Sequence, residues 1–289
     1  MTSIQVGVYP NAQAVADAVA NRMAGSILRA LTTESVAHIC ITGGRGGHGA
    51  LAALAPDPGI DWSRVHVWWS DERFVPSGDE LRNDVMAQAA LLDVVDLPVA
   101  NLHRMPAADQ FEDIAEAADA YAAEMAAFGT LGPQFCVSIL GMGEDGHVAS
   151  LFPEHPGLRE TRLAFPVTDS PKPPPRRISM SLPAINNANE VILIAAGAGK
   201  ADAVAMLIND PGPLVVPAAG VHGMDTTLLA VDIAAARHPG LRREEEALAV
   251  KMREREVAER IAREAEEARR QEKIAAEARA AEAAELAAA

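Results

Sequence analysis

Apolar residues along this chain fall into short runs rich in β-branched and aromatic side chains, separated by longer stretches where they recur every four positions. Ile4 to Val8 alternates as a strand does, and Asn11 to Leu31 places Val15, Val19, Met23 and Ile27 on one helical face. Val36 to Ile41 predicts a second strand, which runs into the glycine-rich segment Thr42 to Gly49 (TGGRGGHG) and then an apolar helix from Ala50 to Leu54. Val65 to Trp69 predicts a third strand, closed by Ser70-Asp71-Glu72-Arg73, and Asn83 to Leu92 reads as helical. Asp109 to Phe128 predicts a helix leading into the strand Phe135 to Leu140 (FCVSIL). Glu190 to Ala196 is an apolar strand followed by a glycine turn and the helix Lys200 to Ile208, and Leu228 to Val231 adds a late strand. This alternation predicts an α/β fold: a doubly wound, mostly parallel sheet with helices on both faces.

Beyond Gly240 the pattern changes. Residues 241–289 contain neither Gly nor Pro and consist mainly of Ala, Glu and Arg, with Glu and Arg three and four apart, which predicts a long exposed helix. Val250, Val257 and Ile261 begin an apolar seam, but Glu254 interrupts it and Ala, Gln and Glu fill its later positions. A solvated helix or a weak self-association element fits better than a zipper. The expected organisation is an α/β domain over 1–240 and a helical tail over 241–289.

Composition narrows the function. At 289 residues, 49% of them apolar, the chain can bury one large core or two modest ones. No run approaches the roughly 18 apolar residues of a membrane span. The start, MTSIQVGVYP, lacks the basic and apolar regions of a signal peptide, so the cytoplasm is the expected compartment. Cys40 and Cys136 lie inside predicted strands, as small buried hydrophobes do, and suggest neither a disulfide nor a CxxC metal site. A formal charge of −15 argues against nucleic acid as a partner. The 13 acids and 11 bases over 241–289 leave about −13 on the remainder. Only two lysines, Lys172 (SPKPPPRR) and Lys200 (AAGAGKADA), lie in the predicted globular part. Each stands beside a Pro- or Gly-rich break, where an anionic ligand would explain it, as would a simple scarcity of lysine.

Ser138 to Pro153 (SILGMGEDGHVASLFP) carries the strongest chemical signal. An apolar strand breaks into three glycines, then presents Asp145, His147 and Ser150. In open α/β sheets ligands bind at the C-terminal ends of the strands, which is where His147 falls. A neutral imidazole can accept a proton from water, the requirement for a general base. Asp145 either orients that ring or caps a following helix. Gly43, Gly44 and Gly46 fit an anion cradle ahead of a helix, without the GxGxxG or Walker pattern. Arg73 either forks onto phosphate oxygens or pairs with Asp71 or Glu72, and one of Arg176 and Arg177 should face the same edge. His48 is a weaker second candidate, whereas His38, His66 and His103, in or beside strands, read as structural. Neither HExxH nor GxSxG occurs, so no metal site or serine hydrolase is indicated.

Five segments taken together resemble the 6-phosphogluconolactonase family: TGG at Thr42 to Gly44, WSDERFVP at Trp69 to Pro76 with Asn83 after it, GMGEDGHVASLFP at Gly141 to Pro153, SPKPPPRRIS at Ser170 to Ser179, and AGAGKADAV at Ala196 to Val204. The resemblance spans roughly Val6 to Ala236. It implies a Rossmann-like carboxylic ester hydrolase without metal or organic cofactor, in which His147 is the base that activates water toward 6-phospho-D-glucono-1,5-lactone. It also implies that Gly43, Gly44, Arg73 and Lys200 hold the phosphate with help from Arg177, and that Asp71 lies near the sugar hydroxyls or the histidine. Where many members follow the glycine pair with a hydroxyl residue and a proline, this chain has Arg45-Gly46-Gly47-His48. Arg45 or bare N–H groups then replace that hydroxyl. The N–H groups of Gly141 to Gly143 are the expected oxyanion donors.

Two other readings compete. Glucosamine-6-phosphate deaminase/isomerase shares the Asp-Gly-His turn, but here Arg73-Phe74 stands where that family carries a tyrosine, and SLFP where it carries Asn-Glu-Pro. A non-catalytic sugar-phosphate scaffold using the tail as its partner helix would not need a base at the sheet edge.

Overall fold

The computed structural model describes residues 4–252 except 56, 58, 210, 242, 243, 245 and 246. In chain order its elements are β1 (Gln5–Tyr9), α1 (Ala12–Thr33), β2 (Ala37–Ile41), α2 (Gly44–Leu54), β3 (Val65–Trp69), β4 (Asp71–Arg73), α3 (Asn83–Ala87), β5 (Leu102–His103), α4 (Ile114–Ala126), β6 (Phe135–Gly141), β7 (Ala164–Val167), β8 (Arg177–Met180), α5 (Leu182–Ile185), β9 (Ala188–Ala195), α6 (Ala201–Ile208) and β10 (Thr226–Asp232), with short 3-10 turns between them and a π-helical turn over Gln88–Leu92 after α3.

Seven strands form one sheet in the order β1-β10-β9-β6-β2-β3-β5, and every pairing in it is parallel. Its central strands are covered on both faces, which explains why FCVSIL and the apolar part of β9 read as continuous rather than alternating runs. Ile39 and Ile41 of β2 face α1 and α2, where Val15, Val19, Met23, Ile27, Leu51 and Leu54 complete the larger core. Burying each such side chain contributes roughly 1.5–3 kcal/mol. The opposite face meets α4, whose Tyr121 hydroxyl both donates to the Trp69 carbonyl (3.1 Å) and accepts from the Trp69 N–H (3.2 Å). A buried polar link ties α1 to β9: Ser26 Oγ donates to Glu190 at 2.6 Å, and the Arg22 guanidinium pairs with the same carboxylate.

The strand order fixes where a ligand can sit. From β2 the sheet grows outward through β3 and β5, and from β6 it grows the other way through β9 and β10. The β2/β6 junction is therefore the topological switch point, and a crevice opens beyond the strand ends there. Thr42 to Gly44 leaves β2 on one side of it and Met142 to His147 leaves β6 on the other.

Three local differences from the sequence pattern have identifiable causes. Helix α2 begins at Gly44, not Ala50: glycine disfavours helix locally, yet the glycines allow this turn to pack against the sheet. Helix α4 begins at Ile114 because Asp113 caps it, accepting from the Ala115 N–H at 2.8 Å. Asp109, the expected start, instead accepts from the N–H and Oγ of Ser77. The chain after β3 also does not simply turn into a loop. It adds β4 to a small antiparallel sheet of order β4-β8-β7, too short to show alternation in the sequence.

The chain divides into two compact units, Met1–Glu244 and Glu245–Ala289. Of the second, residues 247–252 are described and are helical, and the rest of the expected tail helix lies outside the described residues. No helix among the described residues is long and apolar enough to cross a membrane.

His38, His66 and His103 meet on the α4 face of the sheet. His66 Nδ1 lies 2.8 Å from His103 Nε2, His103 Nδ1 lies 2.5 Å from Glu124, and Trp68 Nε1–H donates to His38 Nδ1 at 3.1 Å. Burial, then the neighbouring imidazoles, lowers His38 from 6.5 to about 4 and lowers His66 as well. The unfolded chain therefore binds protons at these histidines that the folded one refuses, so their contribution to stability is complete above pH ~6.5 and is lost as pH falls toward ~4. Urea midpoints measured across that range should fall more, or rise less, toward low pH in wild type than in His38→Asn, which keeps an acceptor for Trp68. Identical pH slopes in the two proteins would contradict the assignment.

Candidate active site

A cavity of about 480 Å³ occupies the switch-point crevice, and His147, Arg73, Lys200 and the first turn of α2 line it. Each arrives there by a different local device.

His147 rides on the turn that follows β6. Gly143 N–H donates to the His147 carbonyl (2.8 Å) and Gly146 N–H to the Gly143 carbonyl (3.2 Å), closing a compact loop. A Cβ on Gly143 would stand 1.9 Å from His147 Nδ1, so the ring fits only because that residue has no side chain. The imidazole leans on Phe152, centroids 4.8 Å apart. Its Nδ1 is hydrogen-bonded to Asp145 Oδ1, with Lys172 Nζ 3.2 Å away. No helix follows: Val148 bridges Leu151, and Ala149 takes a positive φ of 48° on the cavity wall. Asp145 Oδ1 thus contacts the ring and also accepts from the His147 main-chain N–H at 3.3 Å, with no helix for it to cap. Burial would raise the Asp145 carboxyl, but the hydrogen bond and charge of His147 and the charge of Lys172 outweigh that and hold it well below the usual carboxylate range.

Asp71 is buried on the cavity wall. It accepts from Ser150 Oγ at 2.7 Å and from Asn83 Nδ2 at 3.3 Å, and Arg177 Nη1 lies 3.9 Å away. Its neighbour Glu72, 1% exposed, accepts from the main-chain N–H groups of Arg73, Asn83 and Asp84 at 2.7 to 2.9 Å, with Arg82 at 3.9 Å. Burial pushes this carboxyl up against those opposing pulls. Both carboxylates are thereby engaged, and among the described residues none lies within ion-pair distance of Arg73. Arg73 donates to the Leu81 carbonyl, while its buried Nε has no partner.

Lys200, at the N-terminus of α6, also lacks a carboxylate within ion-pair distance among the described residues. Burial lowers its pKa, with Glu144 acting in the opposite sense. Helix α2 starts from Gly43, an N-cap without a side chain, so its first-turn N–H groups are uncapped and open on the cavity. Gly44 and Arg45 belong to that turn. The remaining sequence candidates separate. Arg177 lines the cavity but spends Nε and Nη2 on the carbonyls of Pro174, Lys172 and Pro173 at 3.0 to 3.2 Å. Arg176 stacks on Phe74, 4.8 Å from its centroid. His48 turns away and contacts the Met86 carbonyl at 3.3 Å. Gly143 N–H is committed to the His147 carbonyl and is not available as an oxyanion donor, a correction to the sequence reading. Gly141 N–H makes only a long 3.4 Å bond to Thr42 Oγ1. Among the described residues no group of three or more His, Cys, Asp or Glu is arranged to hold a metal ion.

Comparison with known proteins agrees with the geometry. The family model for glucosamine-6-phosphate isomerases/6-phosphogluconolactonase matches residues 10–229. A 6-phosphogluconolactonase of Streptomyces coelicolor is 49% identical over 243 residues, covering 80% of this chain and 93% of that protein. The chain belongs to the 6-phosphogluconolactonase family. A Mycobacterium tuberculosis member is 44% identical over 237 residues, covering 80% of this chain and 96% of its own. The crystal structure of the Thermotoga maritima family member superposes with a TM-score of 0.71 at 25% identity, covering 80% of this chain and all of that one.

Residues that sequence reasoning named without a role, or passed over, hold this family member's site together. Asn83 Nδ2 donates to the Asp71 carbonyl at 2.9 Å, and its side chain lies directly against Gly43. A Cβ on Gly43 would fall 1.8 Å from Asn83 Oδ1 and 2.4 Å from its Cγ. Gly43→Ala must displace Asn83 from Asp71 and is expected to cost roughly 1–3 kcal/mol, the usual range for overpacking. Chemical denaturation measures this, and a wild-type midpoint would contradict the packing account.

Proposed function

We propose that the chain hydrolyses 6-phospho-D-glucono-1,5-lactone to 6-phosphogluconate, the reaction for which its curated relatives are named. One observation carries the reading. A single cavity combines a histidine whose Nε2 has no protein partner among the described residues with two cations, Arg73 and Lys200, that have no carboxylate of their own.

The chemistry follows from these groups. Asp145 accepts at Nδ1, so Nδ1 carries the ring proton and Nε2 is left as the base. Water gives a proton to Nε2 as its oxygen attacks the lactone carbonyl carbon. The resulting oxyanion is stabilised by N–H donors, of which Gly141 is the candidate left by the hydrogen bonding. Collapse breaks the bond to the ring oxygen, which takes the proton back from the imidazolium, and the new carboxylic acid ionises. The phosphate is held by the uncapped turn of α2 at Gly43, Gly44 and Arg45, together with Arg73 and Lys200. Arg177 supports the neighbouring loop and presents Nη1 toward Asp71, which faces the sugar hydroxyls. Residues 241–289 lie beyond the family resemblance and are assigned no part in catalysis; they serve as a solvated extension or a weak self-association element.

Freshly generated lactone, coupled to 6-phosphogluconate dehydrogenase and NADP, tests the proposal as acceleration over a buffer blank. His147→Ala should lose roughly 10²–10⁴-fold of that acceleration, the usual contribution of a general base. Lys200→Ala should raise KM far more than it lowers kcat. No acceleration by folded wild-type protein, with ammonia released from glucosamine 6-phosphate instead, would replace this reading by the deaminase. Truncation after Glu244 should leave turnover intact and change only sedimentation behaviour. Loss of turnover in a folded truncation would place the tail in the site.

A further inference from the structure

Lys172 is one of the two lysines of the α/β unit, and neither the base nor the phosphate contacts account for it. It is not among the residues lining the cavity. Its ammonium stands on the Nδ1 side of the histidine, 3.3 Å from Asp145 Oδ1, 3.2 Å from Asp145 Oδ2 and 3.2 Å from His147 Nδ1. The anion that its unusual placement implied is therefore the protein's own Asp145.

The loop bearing Lys172 is held too firmly for an incidental surface lysine. Pro173, Pro174 and Pro175 fix φ at three successive positions after it. Ser170 N–H donates to the Pro175 carbonyl at 3.0 Å, and Lys172 N–H donates to Ser170 Oγ at 3.2 Å. The Lys172 carbonyl accepts from both Ser170 Oγ (2.9 Å) and Arg177 Nη2 (3.0 Å). Arg177, 4% exposed, thus clamps the backbone from which the lysine reaches over Asp145.

We infer that Lys172 is a positioning residue for His147, acting through Asp145. Spanning both carboxylate oxygens, the ammonium fixes the plane of Asp145 so that Oδ1 meets Nδ1. That contact selects the tautomer in which Nδ1 carries the proton and Nε2 is free to accept one. The ammonium also balances the carboxylate, so the ring faces a neutral pair rather than a lone anion. Without Lys172 the carboxylate, about one-third exposed, keeps only the ring and the long 3.3 Å bond from the His147 main-chain N–H, so its plane and the tautomer are less firmly imposed. Arg177 belongs to the same device, which gives this cavity residue work besides any contact with substrate.

The inference rests on the lactonase reading for its kinetic part only. Because a general base contributes roughly 10²–10⁴-fold, a residue acting through it should command about 10- to 100-fold. K172M is expected to lose that much kcat with KM within about twofold of wild type, at an unchanged melting temperature. K172R, whose guanidinium also bridges two carboxylate oxygens, should recover most of the loss. The second readout needs no substrate: ring ¹⁵N shifts of His147, assigned with H147A, should report the Nδ1–H tautomer in wild type and K172R and a mixture in K172M. Unchanged kcat with unchanged ¹⁵N shifts would reduce the contact to a surface ion pair, and a rise in KM alone would make Lys172 a substrate ligand; either result overturns the inference. Wild-type protein that fails to accelerate lactone hydrolysis would remove the functional reading, while the ¹⁵N comparison would still decide the role of Lys172.

Discussion

A buried carboxylate organises one half of this site. Glu72 takes three main-chain N–H groups at the junction where the chain leaves the main sheet, enters the small antiparallel sheet and starts α3. Removing an anion from water is costly unless it is paired and hydrogen-bonded, and this one has both N–H donors and Arg82. The N–H groups it engages belong to Arg73, Asn83 and Asp84, so one side chain sets the backbone of a cavity cation and of the residue that braces Gly43. Because Glu72 is spent in this way, and Asp71 is engaged by Ser150 and Asn83, Arg73 is left without a carboxylate partner among the described residues and donates instead to the Leu81 carbonyl.

The other half depends on close approach rather than charge. Gly143 makes room for the imidazole and Gly43 for Asn83, and in each case a single methyl group would collide with a side chain held by its own hydrogen bonds. The two halves meet because β2 and β6, about 100 residues apart in sequence, are neighbours at the point where the strand order diverges. Strand topology brings the pieces together; carboxylates and glycines set their orientation.

Much of this was legible in the residues. Strand-length apolar runs predicted the parallel sheet, and the segments GMGEDGH, SDERF, TGG and AGAGK all lead to one cavity. What sequence could not supply were facts of pairing. Three-residue β4 has no period to read, so its pairing with the strand after Arg176 could not be foreseen, and neither could the contacts of Asp71 with Ser150 and Asn83. Helix propensity placed the start of α2 too late because packing of Gly44 to Gly47 overrides their local cost. Whether Arg73 paired with its own acidic neighbours was undecidable along the chain, since adjacent residues in a strand point to opposite faces. Lys172 stood out by its isolation, but only the fold shows that its anion is Asp145 and not a ligand. Gly143 was assigned to oxyanion binding by its position in the turn, and only the hydrogen bonding shows its N–H is already taken.

The two cavity cations that lack a carboxylate partner among the described residues also bear on the energetics of the protein. Arg73 keeps a buried Nε–H without an acceptor, and Lys200 is half-buried with Arg45 and Lys172 among the charges that act against its own. A half-buried cluster of like charges costs stability, and on the function proposed above a substrate phosphate bound there returns stability by mass action. At a ligand concentration a hundredfold above the dissociation constant the return is about 2.7 kcal/mol, a large share of the 5–15 kcal/mol that holds a typical domain together. On that proposal the substrate-free and substrate-loaded chains are two proteins of different robustness, with the more fragile one present when substrate is scarce.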